Sequence, residues 1–512
     1  MNHPASRPSR DYWQHPLLIA AVVLAAAVPL LLPAVPPITD LPGHMARYHI
    51  EMNLDRSADL HRYYGFHWAL IGNLGVDLLI IPMATLFGLE LGAKLIVIAI
   101  PMMLVAGFLA VARELHGRIP PTAFFALPLA YHWPFQFGFV NFSLAASLCF
   151  LAFALWLGLR RTGRTRLRAL LFVPLACLVW LAHIYGWGLL GVLAFSAEAA
   201  ARRESGRSWP KALFEGAGAC APLMLPFVLM LLWRGGAVAG DTGDWNVTLK
   251  LNWLISIVRE HWMVWDIATA AIIWVIVLMG VLRVDVGMVL PVRIALVLLA
   301  LLFVAIPRVL IGSGFADMRM APMLAAVGVL GVTVDGQRAE RFARLLAGAG
   351  LLLFAARIAV TTVVFDGLER GWQRQLPAIA AIDRGSRVLV LTYAPCINSW
   401  ANQRFDHVSS LAVPRREVFT NAQWALAGAQ LLEVKYRAGD PFVEDPSHLL
   451  RPRNCADGPG RLRKALTVLP SFDYMWLVGV PRGWWPNDQR LVPLWRTSDG
   501  ILYRINQTPS GG

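Results

Sequence analysis

The chain has 512 residues, of which 57% are hydrophobic and only 15% are charged. Soluble globular domains carry about a quarter charged residues, so this composition excludes an ordinary soluble protein. Several uncharged runs reach the roughly 20 residues that cross a bilayer as a helix, which predicts an α-helical polytopic membrane protein. The net charge of +14 is concentrated in arginine-rich loops between these runs. This is the positive-inside pattern of membrane proteins, and it argues against nucleic acid as a partner.

The apolar runs predict about eleven transmembrane helices. The first follows basic residues and is expected to stay uncleaved, because it is longer than the apolar part of a signal peptide and a proline-rich segment follows it. In chain order, the predicted spans are residues 17–35, 92–112, 120–137, 139–158, 168–185, 187–200, 210–232, 263–282, 287–311, 320–335 and 342–364.

One further apolar stretch, residues 74–88, decides the predicted topology. It is short for a span, at about fifteen residues, and it contains Asp77 and Pro82. If it does not cross the membrane, the arginine-rich loops between later spans lie on the same side as Arg7 and Arg10, as the positive-inside bias requires. We therefore predict a juxtamembrane or re-entrant helix at 74–88 and an N-terminus in the cytoplasm.

This topology gathers the aromatic and acidic loops on the outer face. The cytoplasmic loops are short and basic, whereas the outer segments carry the carboxylates, so any chemistry is expected outside. The outer segments are the first outer loop 36–91, the turn 131–142, residues 183–188, the loop 234–262, residues 312–319 and the tail from residue 365.

The C-terminal tail, residues 365–512, predicts a small extracytoplasmic α/β domain beside a transmembrane domain of residues 1–364. Val-rich and aromatic stretches between turn residues predict strands, and a Ser-Asp-Gly turn predicts a hairpin. A longer segment that ends at a glycine predicts a helix. The predicted strands are "SRVLVLTYAPC" (386–396) and "FDYMWLVGVP" (472–481), the hairpin is residues 491–506, and the helix is "NAQWALAGAQLLEVKYRAG" (421–439).

Two of the five cysteines, Cys396 and Cys455, lie in this tail. In an oxidising outer compartment they would form a disulfide, and two free thiols are the alternative. The other cysteines fall in apolar runs and are expected to be buried packing residues.

The outer loop after the first span, "PPITDLPGHMARYH" (36–49), concentrates titratable residues. A helix that begins after Asp40 would use it as the N-cap and would place Pro42 in its first turn, where proline is tolerated. His44 then lies one turn on, on the same face as Asp40. The pattern fits a capped interfacial helix, and it equally fits a carboxylate held beside a histidine as a general base. Asp40 and His44 are therefore the candidate catalytic residues.

Two acidic residues at span ends are candidate substrate-binding groups. Asn73 and Asp77 lie one turn apart, and an ionisable residue in an apolar helix usually faces protein or water. Asp317 and Arg319 lie in "GFADMRMAP" at the outer mouth of a late span. The planar fork of arginine suits a phosphate, and a local Asp–Arg pair is the alternative.

Two aromatic-rich outer segments supply further candidates. His132 and Asn141 lie in "YHWPFQFGFVNF", which fits either an interfacial aromatic belt or the lining of a site. His183 and Tyr185 fit either a hydrogen-bonded pair between helices or a pair that faces a ligand.

The combination of "PPITDLPGHMARYH", "IGNLGVDLLIIP", "FGFVNF" and "ADMRMAP" resembles the GT-C superfamily, membrane glycosyltransferases that use polyprenyl-phosphate-linked sugars. The likeness is greatest to bacterial GT-C-like proteins with a D-x-P-x-H-x-x-R loop. It implies that Asp40 is the general base, that Arg319 contacts the lipid phosphate, and that the tail is an outer soluble domain. Some members hold a divalent metal with a second acidic motif. This chain has no clear copy of it, so no metal ligand is assigned and a divalent metal stays open. His44 is not general to the superfamily.

The resemblance implies an inverting hexosyl- or pentosyltransferase of the bacterial inner membrane. Its partners would be a polyprenyl-phosphate sugar donor, a glycan, lipid or protein acceptor, and the bilayer. The alternatives are a non-catalytic GT-C-like envelope assembly protein and a transporter of lipid or solute. Transporters tend to show internal repeats and mid-span charge, whereas the polar groups here gather in outer loops. The sugar, the polyprenol, the acceptor and the oligomeric state stay open.

Overall fold

The computed structural model describes residues 11–232, 242–282, 286–310, 312–333, 337–396, 399–402, 404–426 and 428–506. Helices dominate the chain up to residue 375, and a mixed sheet forms the centre of the tail. The α-helices are α1 (Pro16–Ala25), α2 (Val28–Leu31), α3 (Leu41–Asn53), α4 (Ala58–Tyr63), α5 (Gly75–Phe87), α6 (Leu89–His116), α7 (Trp133–Phe137), α8 (Val140–Arg161), α9 (Thr165–Ala182), α10 (Ile184–Glu204), α11 (Trp209–Ala219), α12 (Leu225–Leu232), α13 (Val247–Ile255), α14 (Met263–Leu282), α15 (Leu290–Ala305), α16 (Met320–Leu330), α17 (Gln337–Gln375), α18 (Ala412–Arg416) and α19 (Gly458–Ala465).

The strands are fewer and shorter than the helices. They are β1 (Tyr64–Phe66), β2 (Gly287–Met288), β3 (Val332–Thr333), β4 (Arg387–Tyr393), β5 (Phe419–Thr420), β6 (Leu432–Val434), β7 (Leu449–Leu450), β8 (Tyr474–Val478), β9 (Leu491–Arg496) and β10 (Gly500–Ile505). The predicted fold class, a polytopic helical membrane protein with a C-terminal α/β domain, is thereby confirmed.

Within the described residues, 6 helices are long and apolar enough to cross a membrane by length and composition. They are α6, α8, α9, α10, α14 and α17, and each coincides with a predicted span. The remaining predicted spans contain shorter or interrupted helices: α1 and α2, the segment before α7, α11 and α12, α15, and α16. Arg7 and Arg10, on which the predicted orientation partly depends, lie outside the described residues.

The predicted span 120–137 differs most from a regular transmembrane helix. Pro121–Tyr131 is a 3-10 helix with every residue buried, and the short α7 follows it. Pro120, Pro121 and Pro128 explain the difference, because proline removes a backbone donor and clashes with the preceding turn of an α-helix. Irregular backbone is tolerated at membrane depth only where protein covers it, and α6, α16 and α17 pack around this segment.

The short stretch 74–88 forms α5, as predicted. Gly88, at φ 78°, ends the helix and allows α6 to begin at the next residue. Asp77 in the first turn of α5 is buried, whereas Leu86 and Phe87 are exposed. The helix therefore turns its charged side toward protein and leaves an apolar side for lipid.

The tail is built on a mixed sheet of six strands in the order β5-β4-β8-β10-β9, with β7 also paired to β4. Strand β4 runs parallel to β5, β7 and β8, and the predicted hairpin forms β9 and β10. The predicted helix at 421–439 is wrong: this segment runs as turns into β6, which pairs antiparallel with β1 of the first outer loop. Cys396 and Cys455 form a disulfide.

A buried polar network joins the tail to the membrane part. The guanidinium of Arg404 donates to the backbone oxygen of Gln136 at 2.7 Å, and the indole of Trp400 donates to Asp266 at 2.7 Å. Arg357, on α17, pairs with the same Asp266. Helix α17 runs without a break past the predicted domain boundary at 364/365. The tail is thus held firmly over the outer ends of the helices.

Candidate active site

A cavity of about 460 Å³ lies between the membrane part and the tail. Its walls come from the loop before α3, the start of α8, the junction of α9 and α10, the loop before α16, and loops of the tail sheet. These segments are among those that the predicted topology gathers on one face of the membrane. Six of the predicted site residues line the cavity: Asp40, His44, Asn73, Asn141, His183 and Arg319.

Asp40 occupies the N-cap position of α3, but its side chain makes no capping hydrogen bond. The carboxylate lines the cavity instead. The backbone N–H of Asp40 donates to the carbonyl of Phe137 at 3.0 Å. Gly138 permits this close approach: its φ is +113°, and a Cβ there would lie 2.6 Å from the Asp40 nitrogen. The packing of two backbone segments therefore fixes Asp40 and leaves its oxygens free.

The electrostatic surroundings of Asp40 favour the neutral form of its carboxyl group. Burial raises the pKa of Asp40 well above its usual range, and the negative charges of Asp445 and Asp406 raise it further. The positive charge of Arg319 lowers the same pKa. The nearest histidine contact is His407, whose Nε2 lies 3.9 Å from Oδ1 of Asp40. Once ionised, a carboxylate in such surroundings is a stronger base than an exposed one.

Arg319 supplies a positive charge to the cavity that also contains the Asp40 carboxylate. It precedes α16 at the N-cap position and is buried. Nη1 donates to the carbonyl of Gly314 at 3.0 Å, and the guanidinium lies 4.2 Å from the ring centre of Phe139. Its Nε has no hydrogen-bond partner among the described residues. A buried guanidinium with a free donor is suited to bind an anionic group of a ligand.

His44 and the aromatic residues around it form the floor beside Asp40. The ring of His44 stacks 6.2 Å from Tyr48 and lies 5.5 Å from Trp424 of the tail. Burial lowers the pKa of His44 well below its usual range, and the nearby charge of Arg47 lowers it further. His44 is therefore a neutral imidazole, and it can accept or donate a hydrogen bond without adding charge.

Asp77 does not line the cavity. Its Oδ1 pairs with Nη2 of Arg47 at 2.8 Å in a buried ion pair, and its Oδ2 accepts from Asn141 at 2.9 Å. Asn141 also accepts from the backbone of Val76, and Asn73 donates to the carbonyl of Ala429 at 2.8 Å. These groups join the starts of α5 and α8 to the tail.

Three other predicted site residues lie behind the cavity wall. Tyr185 lies beneath Arg319, whose guanidinium is 5.5 Å from the ring centre. Asp317 is buried with its Oδ2 3.4 Å from Nζ of Lys250. The Nδ1 atom of His132 accepts from the backbone of Phe135 and starts α7. The structure therefore places these residues in contacts that hold the wall.

His183 caps a helix and also lines the cavity. It separates α9 from α10, and its Nδ1 accepts from the backbone N–H of Tyr185 at 3.2 Å. Its ring also lines the cavity and packs 5.9 Å from Phe142. The helix cap thus orients the ring toward the open space.

The tail wall contains charged residues that the sequence analysis missed. Asp406, His407, Asp445 and Arg451 line the cavity opposite α3. Burial raises the pKa of Asp406 to about 8. The available signal was weak: Asp406 and His407 stand in "RFDH", Asp445 stands in "EDPSH", and Arg451 follows shortly after, in segments of ordinary polar composition that come together only when the sheet forms.

The fold and the cavity define a class: a polytopic membrane protein with a charged, largely buried cavity under an α/β domain. No protein-family model matches the chain, and no curated protein matches it. Among solved structures, the crystal structure of ArnT from Cupriavidus metallidurans bound to undecaprenyl phosphate is similar over 96% of this chain and 98% of that chain, with a TM-score of 0.49 and 12% identity.

Proposed function

We propose that this cavity is the active site of a membrane glycosyltransferase. It moves a sugar from a polyprenyl-phosphate donor to an acceptor hydroxyl at the outer face of the membrane, with inversion at the anomeric carbon. Asp40 is the general base, and Arg319 binds the phosphate that leaves. His44 and His183 line the space between them and orient the reacting groups.

One observation carries the proposal: Asp40 and Arg319 line the same buried cavity. The sequence separates them by almost 280 positions, so only the fold brings them together. Each presents its charged group to that space, because the Asp40 carboxylate caps no helix and the Arg319 side chain forms part of the cavity wall. A base and a phosphate-binding cation facing one space are the two charges that a direct displacement from a phosphate-linked sugar needs.

The chemistry follows from these two positions. The acceptor oxygen attacks the anomeric carbon while Asp40 takes its proton, and the bond from that carbon to the phosphate oxygen breaks. Negative charge grows on the leaving phosphate, where Arg319 neutralises it. Because Asp40 must be ionised and its pKa is raised, the rate is expected to rise with pH through the ionisation of Asp40.

The position of the cavity supports a membrane substrate at the outer face. The short helix α5 leaves apolar residues exposed beside the site, where a polyprenyl chain would lie in lipid. The tail disulfide Cys396–Cys455 is typical of an oxidising compartment, which supports an outer location for the tail.

The experiment compares strains that lack the gene and carry either the wild type or Asp40→Asn. Asp40→Asn keeps the shape of the side chain but removes the base, so the transfer rate should fall at least about a hundredfold while the amount of folded protein is unchanged. Mass spectrometry of envelope glycans and of lipid-linked sugars measures the missing product and the accumulated donor. Exposed Asp55→Asn is the matched control and should behave as the wild type.

The same experiment separates the alternatives. A non-catalytic assembly protein would keep its cellular role when Asp40 is replaced by Asn. That result would refute the proposed glycosyltransferase activity. A transporter would move solute or lipid in reconstituted vesicles without sugar transfer. For the phosphate side, Arg319→Gln should lower transfer by about 10² to 10³, and Arg319→Lys should restore part of it because charge returns without the planar fork.

A further inference from the structure

Three side chains of the tail form a compact cluster at the edge of the cavity: His407, Asp445 and His448. One nitrogen or carboxylate oxygen of each lies within 4.8 Å of those of the other two. His407 comes just before a turn of 3-10 helix at 408–411. Asp445 and His448 belong to the loop "DPSH" that leads into β7. The cluster thus brings two separate loops of the tail to one point.

His448 is fully buried, at 0% exposed, and its polar contacts are weak. The ring makes a weak hydrogen bond with the backbone of Asp406. Its Nδ1 lies 3.5 Å from Oδ1 of Asp445, which is too long for an effective hydrogen bond. Buried polar groups are usually hydrogen-bonded more strongly than this, so the imidazole is suited to a further ligand.

His407 is oriented as a metal-binding histidine would be. Its Nδ1 lies 3.0 Å from the carbonyl of Ala422, so Nδ1 carries the proton and donates it there. The lone pair of Nε2 then points toward the cluster and toward Asp40. A hydrogen bond from the second ring nitrogen to a carbonyl is the usual support of a histidine that ligates a metal.

The backbone around the cluster is fixed before any ligand binds. The N–H of Asp445 donates to the carbonyl of Gln423 at 2.9 Å, and the carbonyl of His448 accepts from Thr392 of β4 at 2.7 Å. The carboxylate of Asp445 remains partly exposed and lines the cavity. The backbones of Asp445 and His448 are therefore held by neighbouring segments of the tail, and the carboxylate of Asp445 opens onto the space that a substrate would enter.

We infer that His407, Asp445 and His448 bind a divalent transition metal, with zinc the best fit, and that the metal keeps an open position toward the cavity. Two imidazoles and a carboxylate favour zinc over the oxygen-seeking ions magnesium and calcium. Three protein ligands with an open position are the arrangement of zinc sites that bind water or a substrate oxygen. Around one zinc the ligand atoms lie about 3.4 Å apart, so small side-chain rotations complete the site.

This inference does not rest on glycosyl transfer, so the test measures metal alone. The full chain is purified in detergent, stripped with a chelator, and titrated with Zn²⁺ against a competing indicator, with metal content determined by mass spectrometry. Co²⁺ serves as a second probe, because the strength of its visible absorption depends on the number of ligands and is greater for a site with few ligands. We expect one metal ion per chain, and affinity lower by at least about tenfold in Asp445→Asn and in His407→Gln.

Matched variants separate the site from adventitious binding. His61 and Asp55 are exposed, and His61→Gln and Asp55→Asn should bind zinc as the wild type does. Because His448 is fully buried, the affinity of His448→Gln is interpreted only if the variant elutes as a folded protein. Asp445 is only half-buried, so the zinc affinity of Asp445→Asn is the deciding measurement. Failure of folded wild type to retain zinc, or equal affinity in Asp445→Asn, overturns the inference. Neither result bears on sugar transfer, which the Asp40→Asn comparison tests separately.

Discussion

The cavity has two walls that differ in how the sequence reveals them. The membrane wall carries Asp40 and Arg319, which the sequence analysis singled out. The tail wall carries Asp406, His407 and Asp445, which it did not. A charge at the end of an apolar span stands out, because burying a charge near the hydrocarbon costs free energy and such a residue usually faces protein or water. A charged residue in a soluble domain is surrounded by many other charged residues in the sequence. Its role is therefore visible only when folding brings distant loops together.

The comparison teaches that one site is made from two kinds of structure. The membrane wall positions its charges through backbone packing and helix starts, as at Gly138 and Asp40. The tail wall positions its charges on loops at the edge of a sheet. Variants can test whether the two walls are positioned in these two ways. They change the contact between the walls, the membrane wall itself, and a contact at the rim of the tail.

The largest effect is expected from Arg404, which docks the tail wall on the membrane wall. Its Nη1 donates to the carbonyls of Pro37 and Gln136 at 2.9 and 2.7 Å. Arg404→Met removes the donor of the buried Pro37 carbonyl and of the Gln136 side-chain oxygen, so the free energy of unfolding should fall by about 3 kcal/mol or more. Thermal unfolding and limited proteolysis of the tail measure the loss.

Arg415 provides the matched control for this prediction. It also joins the tail to a membrane helix, through a pair with Glu90 at 2.8 Å, but that pair is half-exposed. Exposed ion pairs contribute about 1 kcal/mol or less, so Arg415→Met should have a small effect. If the two variants lose equal stability, the buried network does not hold the walls together.

An intermediate effect is expected from Gly138→Ala in the membrane wall. The new Cβ would lie 2.6 and 2.7 Å from the nitrogen and Cβ of Asp40, and the φ of +113° is strained for alanine. We expect a loss of stability of about 2 kcal/mol and, because Asp40 moves, a rate about a hundredfold lower. Gly163→Ala has a comparable positive φ but meets nothing within 4 Å, so it should cost stability alone. A Gly138→Ala protein with normal transfer would contradict the role of Asp40.

The smallest effect is expected at Glu417, where the tail meets the first outer loop. Its carboxylate accepts from Ser57 at 2.6 Å and pairs with Arg384 at 2.6 Å. Burial raises the pKa of Glu417, but the hydrogen bonds from Ser57 and Arg384 and the charge of Arg384 outweigh burial and lower the pKa below its usual range. The stabilisation is therefore present above the pKa of an unfolded glutamate and is lost as the pH falls through the folded pKa.

Glu417→Gln should accordingly lower the unfolding temperature slightly at neutral pH and not at all at acidic pH. Unfolding scans of both proteins between neutral and acidic pH measure the difference. A deficit that stays constant with pH would show that shape, not charge, explains the contact.

The sequence predicted much of the fold for a physical reason. Apolar runs without charge define the long helices, and α6, α8, α9, α10, α14 and α17 appear where hydropathy placed them. It failed where local pattern and tertiary context disagree. The apolar run 120–137 contains prolines that only a protein-covered 3-10 helix accommodates, and the segment 421–439 has helix-favouring residues but supplies β6 to a partner strand far away.

The candidate site was predictable only in part. Asp40 and Arg319 could be found because each lies at the end of an apolar span, where a charge is uncommon. Asp77 carries the same signal, but Arg47 neutralises it, and no pattern in one sequence indicates which buried charge has a partner. His407 and His448 become a cluster only through the pairing of β7 with β4. Such juxtapositions depend on sheet register, which single-sequence patterns do not contain.

The pairing of β1 with β6 has a consequence for biosynthesis. His67, at the end of β1, contacts Glu433, which the ribosome adds 366 residues later. The first strand must therefore wait without its partner until synthesis has passed residue 434. A chain interrupted before that residue also lacks Asp445 and Arg451, which line the cavity. The cavity is thus complete only after a late segment of the polypeptide has returned to an early one.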